Sequence, residues 1–286
     1  MKKQSLTFPL ECLEMSIIQP KLKKVISASR RVDLLSFYPD YLIQRLEEIG
    51  KKNIHTLILW TKNPLNIFKN KSLRKYLKTF DQLYLLLTVT GLGGTPLEPK
   101  APEIDTVLKS LPDLIDFLDS PLRLALRYDP LIEVVYDKKN RLTNIDLKLF
   151  QYILNSLHPL GIKRVITSFV TLYPKVRKRL DKHNFRIIEH PLEEIEDFIL
   201  KQMTPQAEKL GIEVSTCVLP EMTSKGCIDG KTLIELHPQK ELCSLVKDKT
   251  QRISCHCTKS VDIGRWFSCY HGCLYCYGNP SLKKTN

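Results

Sequence analysis

Residues 83–89 read LYLLLTV and residues 56–60 read TLILW. Near-continuous apolar runs of this kind suit strands buried on both faces, as in a parallel sheet. Outward from them, the strand candidates are Lys24–Ser29, Thr56–Thr61, Leu83–Thr90, Leu122–Tyr128, Arg164–Val170 and Glu213–Val218. Helical stretches fall between them. Pro39 opens one that Gly50 closes, the expected asymmetry of Pro at the start and Gly past the end. Pro64–Thr79 and Glu103–Leu118 are the next two, and Asn144 reads as the N-cap of a fourth that stops before Pro159-Leu160-Gly161. A fifth region spans about Pro174–Leu210, with breaks expected near His190-Pro191 and at Pro205.

Strand–helix alternation repeated this often argues for an α/β fold with parallel strands. The alternatives are a full or partial (β/α) barrel of about six strands and an open doubly wound sheet. SASRRVD stands where a glycine-rich dinucleotide fingerprint would follow the first strand, which favours the barrel. Residues 1–254 read as the barrel-like domain and 255–286 as a cysteine-rich segment packed on it.

In either fold the functional groups sit at the carboxyl ends of the strands. Those ends supply Ser27, Ser29, Arg30, Arg31 and Asp33; Thr61, Lys62 and Asn63; Thr88 and Thr90 before a flexible Gly91–Gly94; Arg127 and Asp129; Ser168; and Cys217. A single polar loop residue needs no special reason. Four basic side chains and two aspartates on one rim fit an anion-binding pocket.

Hydrophobic residues make up 43% and charged residues 26% of 286, so a sizeable core can be buried. The N-terminal MKKQSLTFPLECLEMS has no apolar run behind its lysines, and no stretch approaches the ~20 apolar residues of a membrane span. A cytoplasmic protein is expected. The net charge of +13 could attract nucleic acid or phosphate groups. The lysines are scattered, however, and read as solvated helix faces.

Five of the nine cysteines lie from Cys255 onward. A cytoplasmic chain rarely uses cysteines for disulfides, so the cluster reads as metal ligands or redox groups. Cys269, Cys273 and Cys276 are spaced C-x3-C-x2-C. Three thiolates this close can reach three corners of a [4Fe–4S] cubane. Zinc would need a fourth ligand, which His271 or Cys257 could supply, so spacing alone leaves both metals open. Cys217, Cys227, Cys255 and Cys257 make a second set, for an auxiliary [4Fe–4S] cluster or a structural zinc. Cys12 and Cys243 have no partner spacing and read as structural.

C-x3-C-x2-C with an aromatic before the last cysteine resembles the signature of the radical S-adenosylmethionine (SAM) superfamily. CYHGCLYCY is similar to the cluster loop of its spore photoproduct lyase branch, a group of DNA-repair enzymes. The resemblance implies Cys269, Cys273 and Cys276 as cluster ligands, an open fourth iron for SAM, and Tyr275 near the adenine. It also implies a barrel fold and an electron donor such as flavodoxin or ferredoxin. The whole chain resembles the bacterial family catalogued as domain of unknown function 1848, through SASRRVD, LWTKNP, TVTG, RYDP, Cys227–Gly230 and the cysteine tail. One feature departs from the superfamily: its cysteine loop follows the first strand, whereas here it is C-terminal. A circular permutation, with Val261–Phe267 as the strand before the loop, accounts for the difference.

The leading expectation is therefore a radical SAM-type enzyme. Arg30, Lys62, Asn63, Arg127 and Asp129 are the candidates for binding SAM or an anionic substrate, whether small molecule, peptide or nucleic acid. The alternative is an iron–sulfur or zinc-stapled nucleic-acid-binding protein without catalysis.

Overall fold

The computed structural model describes residues 22–283 except 138, 218 and 220–224. Cys12 lies outside them. The strands are β1 (Lys24–Ala28), β2 (Ile54–Thr61), β3 (Leu83–Thr88), β4 (Leu124–Leu131), β5 (Glu133–Tyr136), β6 (Asn140–Thr143), β7 (Arg164–Phe169), β8 (Phe185–Ile187), β9 (Glu213–Thr216), β10 (Val261–Asp262), β11 (Ser268–Cys269) and β12 (Asn279–Pro280). Seven of them form one sheet in the order β10-β1-β2-β3-β4-β7-β9, every pair parallel. This architecture is consistent with a partial barrel. The six strands expected from apolar runs are all present, and β10 adds a seventh.

Side chains alternate between the two faces of the sheet. On one, Ile26, Leu57, Leu59, Leu85, Leu126 and Val165 join the helices in the main core. On the other, Val25, Ile58, Trp60, Tyr84, Leu86, Ala125 and Ile166 pack against Cys227, Ile228, Leu233, Cys243, Cys255 and Cys257. The segment between β9 and β10 thus covers the second face.

The helices refine the expectations. Pro39–Ile49 forms as read, with Gly50 at φ +79° past its end. The Pro64–Thr79 stretch splits in two because the Asn70 side chain caps a new helix by accepting from the Leu73 N–H at 2.9 Å. Glu103–Leu118 likewise splits, with Pro112 in the first turn of its second half. The cap of Leu147–Leu157 is Asp146, not Asn144. Asn144 is buried, donating to the Thr90 and Pro130 carbonyls and accepting from the Ile132 N–H. A break does precede Leu192, but Pro205 does not end the helical run. A π-helical turn over Phe198–Met203 precedes it, and Pro205 falls at the start of the helical segment Thr204–Glu208, where proline is tolerated.

A small antiparallel sheet, β6-β5-β8, was not anticipated. Its residues Val134 and Phe185 pack with Leu97, Cys273, Leu274 and Tyr275. It therefore buttresses the cysteine loop.

Candidate functional site

β10 pairs with β1 in register Ile26↔Val261 and Ser27↔Asp262. That pairing carries the tail to the carboxyl ends of the central strands; of Val261–Phe267 only Val261–Asp262 are strand. Asp262 then organises the end of β1. Its carboxylate accepts from Ser27 Oγ at 2.9 Å, Ser29 Oγ at 2.8 Å and the Arg30 N–H at 2.8 Å.

β11 and β12 pair beside each other and close the loop that carries Cys269, Cys273 and Cys276. Gly272, at φ +72°, makes the turn within the loop, in a conformation other residues rarely adopt. The loop backbone is tied to the segment after β3 by Lys100 N–H to His271 O and Leu274 N–H to Leu97 O. Arg179 donates to the Leu274 and Cys276 carbonyls at 3.0 and 2.6 Å.

Two buried polar assemblies fix the loop over the strand ends. In the first, Asp33 Oδ2 accepts from Thr61 Oγ1 at 2.7 Å and from the Lys62 N–H at 3.1 Å, and lies 2.8 Å from His271 Nε2. Burial pushes the Asp33 carboxyl up, but those partners outweigh it and hold it below its usual range. In the second, Glu98 is 1% exposed. It accepts from Lys62 Nζ at 2.8 and 2.9 Å, from Thr90 Oγ1 at 2.7 Å and from Tyr275 Oη. Burial alone would lower the Lys62 pKa, yet Glu98 and Cys273 raise it, so the ammonium stays charged.

The three thiols of the loop are close enough to act on one another electrostatically. Burial, aided by Asp33, pushes Cys269 up to about 12. Burial and Glu98 push Cys273 well up. Burial raises Cys276 as well, partly offset by the Gly278 N–H at 3.2 Å from its sulfur, and by Lys62 and Arg179. Of the two candidate fourth ligands, Cys257 belongs to another set. His271 Nε2 is engaged by Asp33, while its Nδ1 is buried without a hydrogen-bond partner.

That other set is Cys217, Cys227, Cys255 and Cys257. Cys227 interacts directly with Cys217 and with Cys257, and Cys257 with Cys255. The structure thus brings together four cysteines separated by up to 40 positions in sequence. Among the described residues, no three or more His, Cys, Asp or Glu side chains stand in the geometry of a single-ion site. Cys243 is apart from both sets, buried and hydrogen-bonded to the Gly230 carbonyl at 3.7 Å.

The rim bases are placed at the strand ends, but each meets an acid. Arg30 and Arg31 lie 3.9 and 4.0 Å from Asp262, Lys62 is held by Glu98, and Arg127 pairs with Asp129. Asp129 also accepts from Ser168 Oγ. The Arg30 and Arg127 guanidiniums both lie over the Trp60 indole, at 5.5 and 4.9 Å. Asn63 Oδ1 and Arg127 Nε are buried without partners. Gly91–Gly94 is a defined turn, bridged from Gly93 to Glu98. Asp262, Glu98 and Arg179 escaped the sequence reading, since a lone charged residue in a loop or helix ordinarily faces water.

Fold and site together define an α/β protein whose parallel sheet carries a cysteine-rich loop across its strand ends. The chain belongs to the family described as domain of unknown function (DUF1848), whose profile matches residues 48–278. No curated protein matches it. In structure it is similar to Streptococcus suis SuiB, with 10% identity, coverage of 82% of this chain and 54% of that one, and a TM-score of 0.39. It is also similar to the carboxyl transferase domain of Rhizobium etli pyruvate carboxylase, with 12% identity, coverage of 78% and 45%, and a TM-score of 0.24. The chain spans about half the length of either. No helix among the described residues is long and apolar enough to cross a membrane.

Proposed function

We propose that the protein is a radical SAM-type enzyme in which Cys269, Cys273 and Cys276 hold a [4Fe–4S] cluster. One observation carries this reading. Three thiols close enough to act on one another lie on a loop held at the strand ends by the Asp33–His271 and Lys62–Glu98–Tyr275 assemblies. Three thiolates fit a cubane with one iron left for a small molecule. The donor set also fits chemically, because thiolates select iron–sulfur clusters and zinc, and a closed zinc site would need a fourth ligand.

When bound, such a cluster supplies the single electron that splits a carbon–sulfur bond of SAM. The chain's own residues position and shelter it. Lys62 offsets thiolate charge at Cys273 and Cys276. The Gly278 N–H donates to Cys276 Sγ, and Arg179 pins the backbone between them. Arg30, Arg127, Asp129, Asn63 and Ser168 furnish the polar groups for SAM and a substrate.

The test is anaerobic reconstitution, reduction and incubation with SAM. Release of 5′-deoxyadenosine and methionine is expected, falling to background in the C269A/C273A/C276A variant. No product above background from the cluster-loaded wild type would defeat the proposal.

A further inference from the structure

We infer that Cys217, Cys227, Cys255 and Cys257 form a second, four-thiolate centre that holds a [4Fe–4S] cluster against the second face of the sheet. The inference does not rest on the reading of the Cys269 loop. Four separate pieces of backbone geometry converge here. Cys217 continues β9, its N–H donating to the Thr167 carbonyl at 2.8 Å. Cys227 lies just before the helix Gly230–Leu236. Cys257 is locked beside that segment by Thr258 N–H to Ile228 O at 3.0 Å, and its sulfur is 3.5 Å from the Ile228 nitrogen. Cys255 is set by its N–H to the Arg252 carbonyl at 2.9 Å.

The close approach is built into the chain. A Cβ on Gly226 would stand 2.3 Å from the Cys257 nitrogen and 2.5 Å from its Cα. Only glycine lets these two backbones meet, and their meeting is what brings Cys227 to Cys257.

The surroundings suit an anionic group. Arg30 reaches Cys257, Arg127 acts on Cys217 and Cys227, and Arg252 Nη2 lies 3.7 Å from Cys217 Sγ. Arg252 has no carboxylate partner among the described residues. Trp60, Tyr84, Leu86 and Ile166 exclude water from the other side. Cys217, the least buried of the four, also lines a cavity of about 410 Å³ together with Arg252.

Each iron of a cubane takes one thiolate, so four cysteines complete a [4Fe–4S] cluster. Thiolates also select zinc, and the metal content separates the two. On assembly four S–H bonds break and four Fe–S bonds form, with up to four protons passing to water and no net oxidation of the cysteines.

The experiment measures iron, sulfide and zinc in anaerobically purified full-length protein, with paramagnetic resonance of the reduced state. C269A/C273A/C276A is expected to hold about four irons, and the wild type about eight when the loop carries its own cluster. The signal of that variant should not change with added SAM, since a four-thiolate cluster offers no open iron. C255A/C257A should lose the SAM-insensitive half. If that variant fails to fold, C217S is the second probe and should lose the same signal. Absence of iron from C269A/C273A/C276A, stoichiometric zinc in it, or unchanged iron and spectra in C255A/C257A and C217S would each overturn the inference.

Discussion

Cys269, Cys273 and Cys276 sit among buried ion pairs at the strand ends, whereas Cys217, Cys227, Cys255 and Cys257 sit between apolar side chains, three arginines and touching backbones. In the first region, position is set by side chains from distant strands, Asp33, Lys62 and Glu98, gripping His271 and Tyr275. In the second it is set by a glycine and by main-chain hydrogen bonds. The electrostatics differ too. All three loop thiols are pushed up, with burial the first cause of each. In the quartet the shifts run both ways: interaction with Cys227 and Cys255 lowers Cys257 and interaction with Cys227 lowers Cys217, while the same contacts push Cys227 and Cys255 up. The first set is thus positioned by side-chain grips at the strand ends, the second by the close approach of two backbones.

The largest way to break this comparison is Glu98→Ala. It leaves the buried Lys62 ammonium without its carboxylate, a change that costs about 3–5 kcal/mol. Urea unfolding should show that loss, and iron should leave the loop set while the quartet keeps its own. Equal loss from both sets would mean that they are one structural unit.

Tyr275→Phe removes a hydroxyl shared by Glu98 and Lys62 and should cost about 1.5–3 kcal/mol. If Tyr275 is a brace, the KM for SAM should hardly move. A large KM increase at unchanged stability would instead put the ring against the adenine.

Gly226→Ala is the matching probe of the quartet. The added methyl meets only backbone atoms, so overpacking should cost about 1–3 kcal/mol. Iron should be lost from the SAM-insensitive centre alone. An unperturbed crystal structure and full iron content would show that the close approach is not needed.

The smallest effect is a pair of opposed pH trends. Cys269 has a folded pKa of about 12, above the ~8.5 of a free thiol. Its stabilising contribution to the metal-free fold is therefore complete below about pH 8.5 and is lost as pH rises toward about 12. Metal loading must expel the same proton and should become easier over that rise. The quartet, with Cys217 and Cys257 lowered but Cys227 and Cys255 pushed up, should load over a broader pH range. Parallel pH profiles for the two sets would contradict the electrostatic contrast.

Much of the fold was legible in one dimension. Runs such as LYLLLTV cannot face water on either side, and so the central strands were identifiable without knowing their partners. Asn144 and Asp146 show where that legibility ends. Both can cap a helix, and only the burial of Asn144 against Thr90 and Pro130 assigns the cap to Asp146. The small β6-β5-β8 sheet was missed because its strands are three or four residues long and partly exposed.

By itself the sequence determined which residues could be ligands, because cysteine spacing is a local property and survives any folding. It also determined that parallel strands would present their carboxyl ends to one rim. Tertiary structure alone decided that Asp33 meets His271 across 238 residues. It alone decided that Glu98 is a buried anchor and that Cys217 joins Cys257. Those pairings depend on which strands lie side by side, and strand order is fixed by burial across the whole chain rather than by any stretch within it.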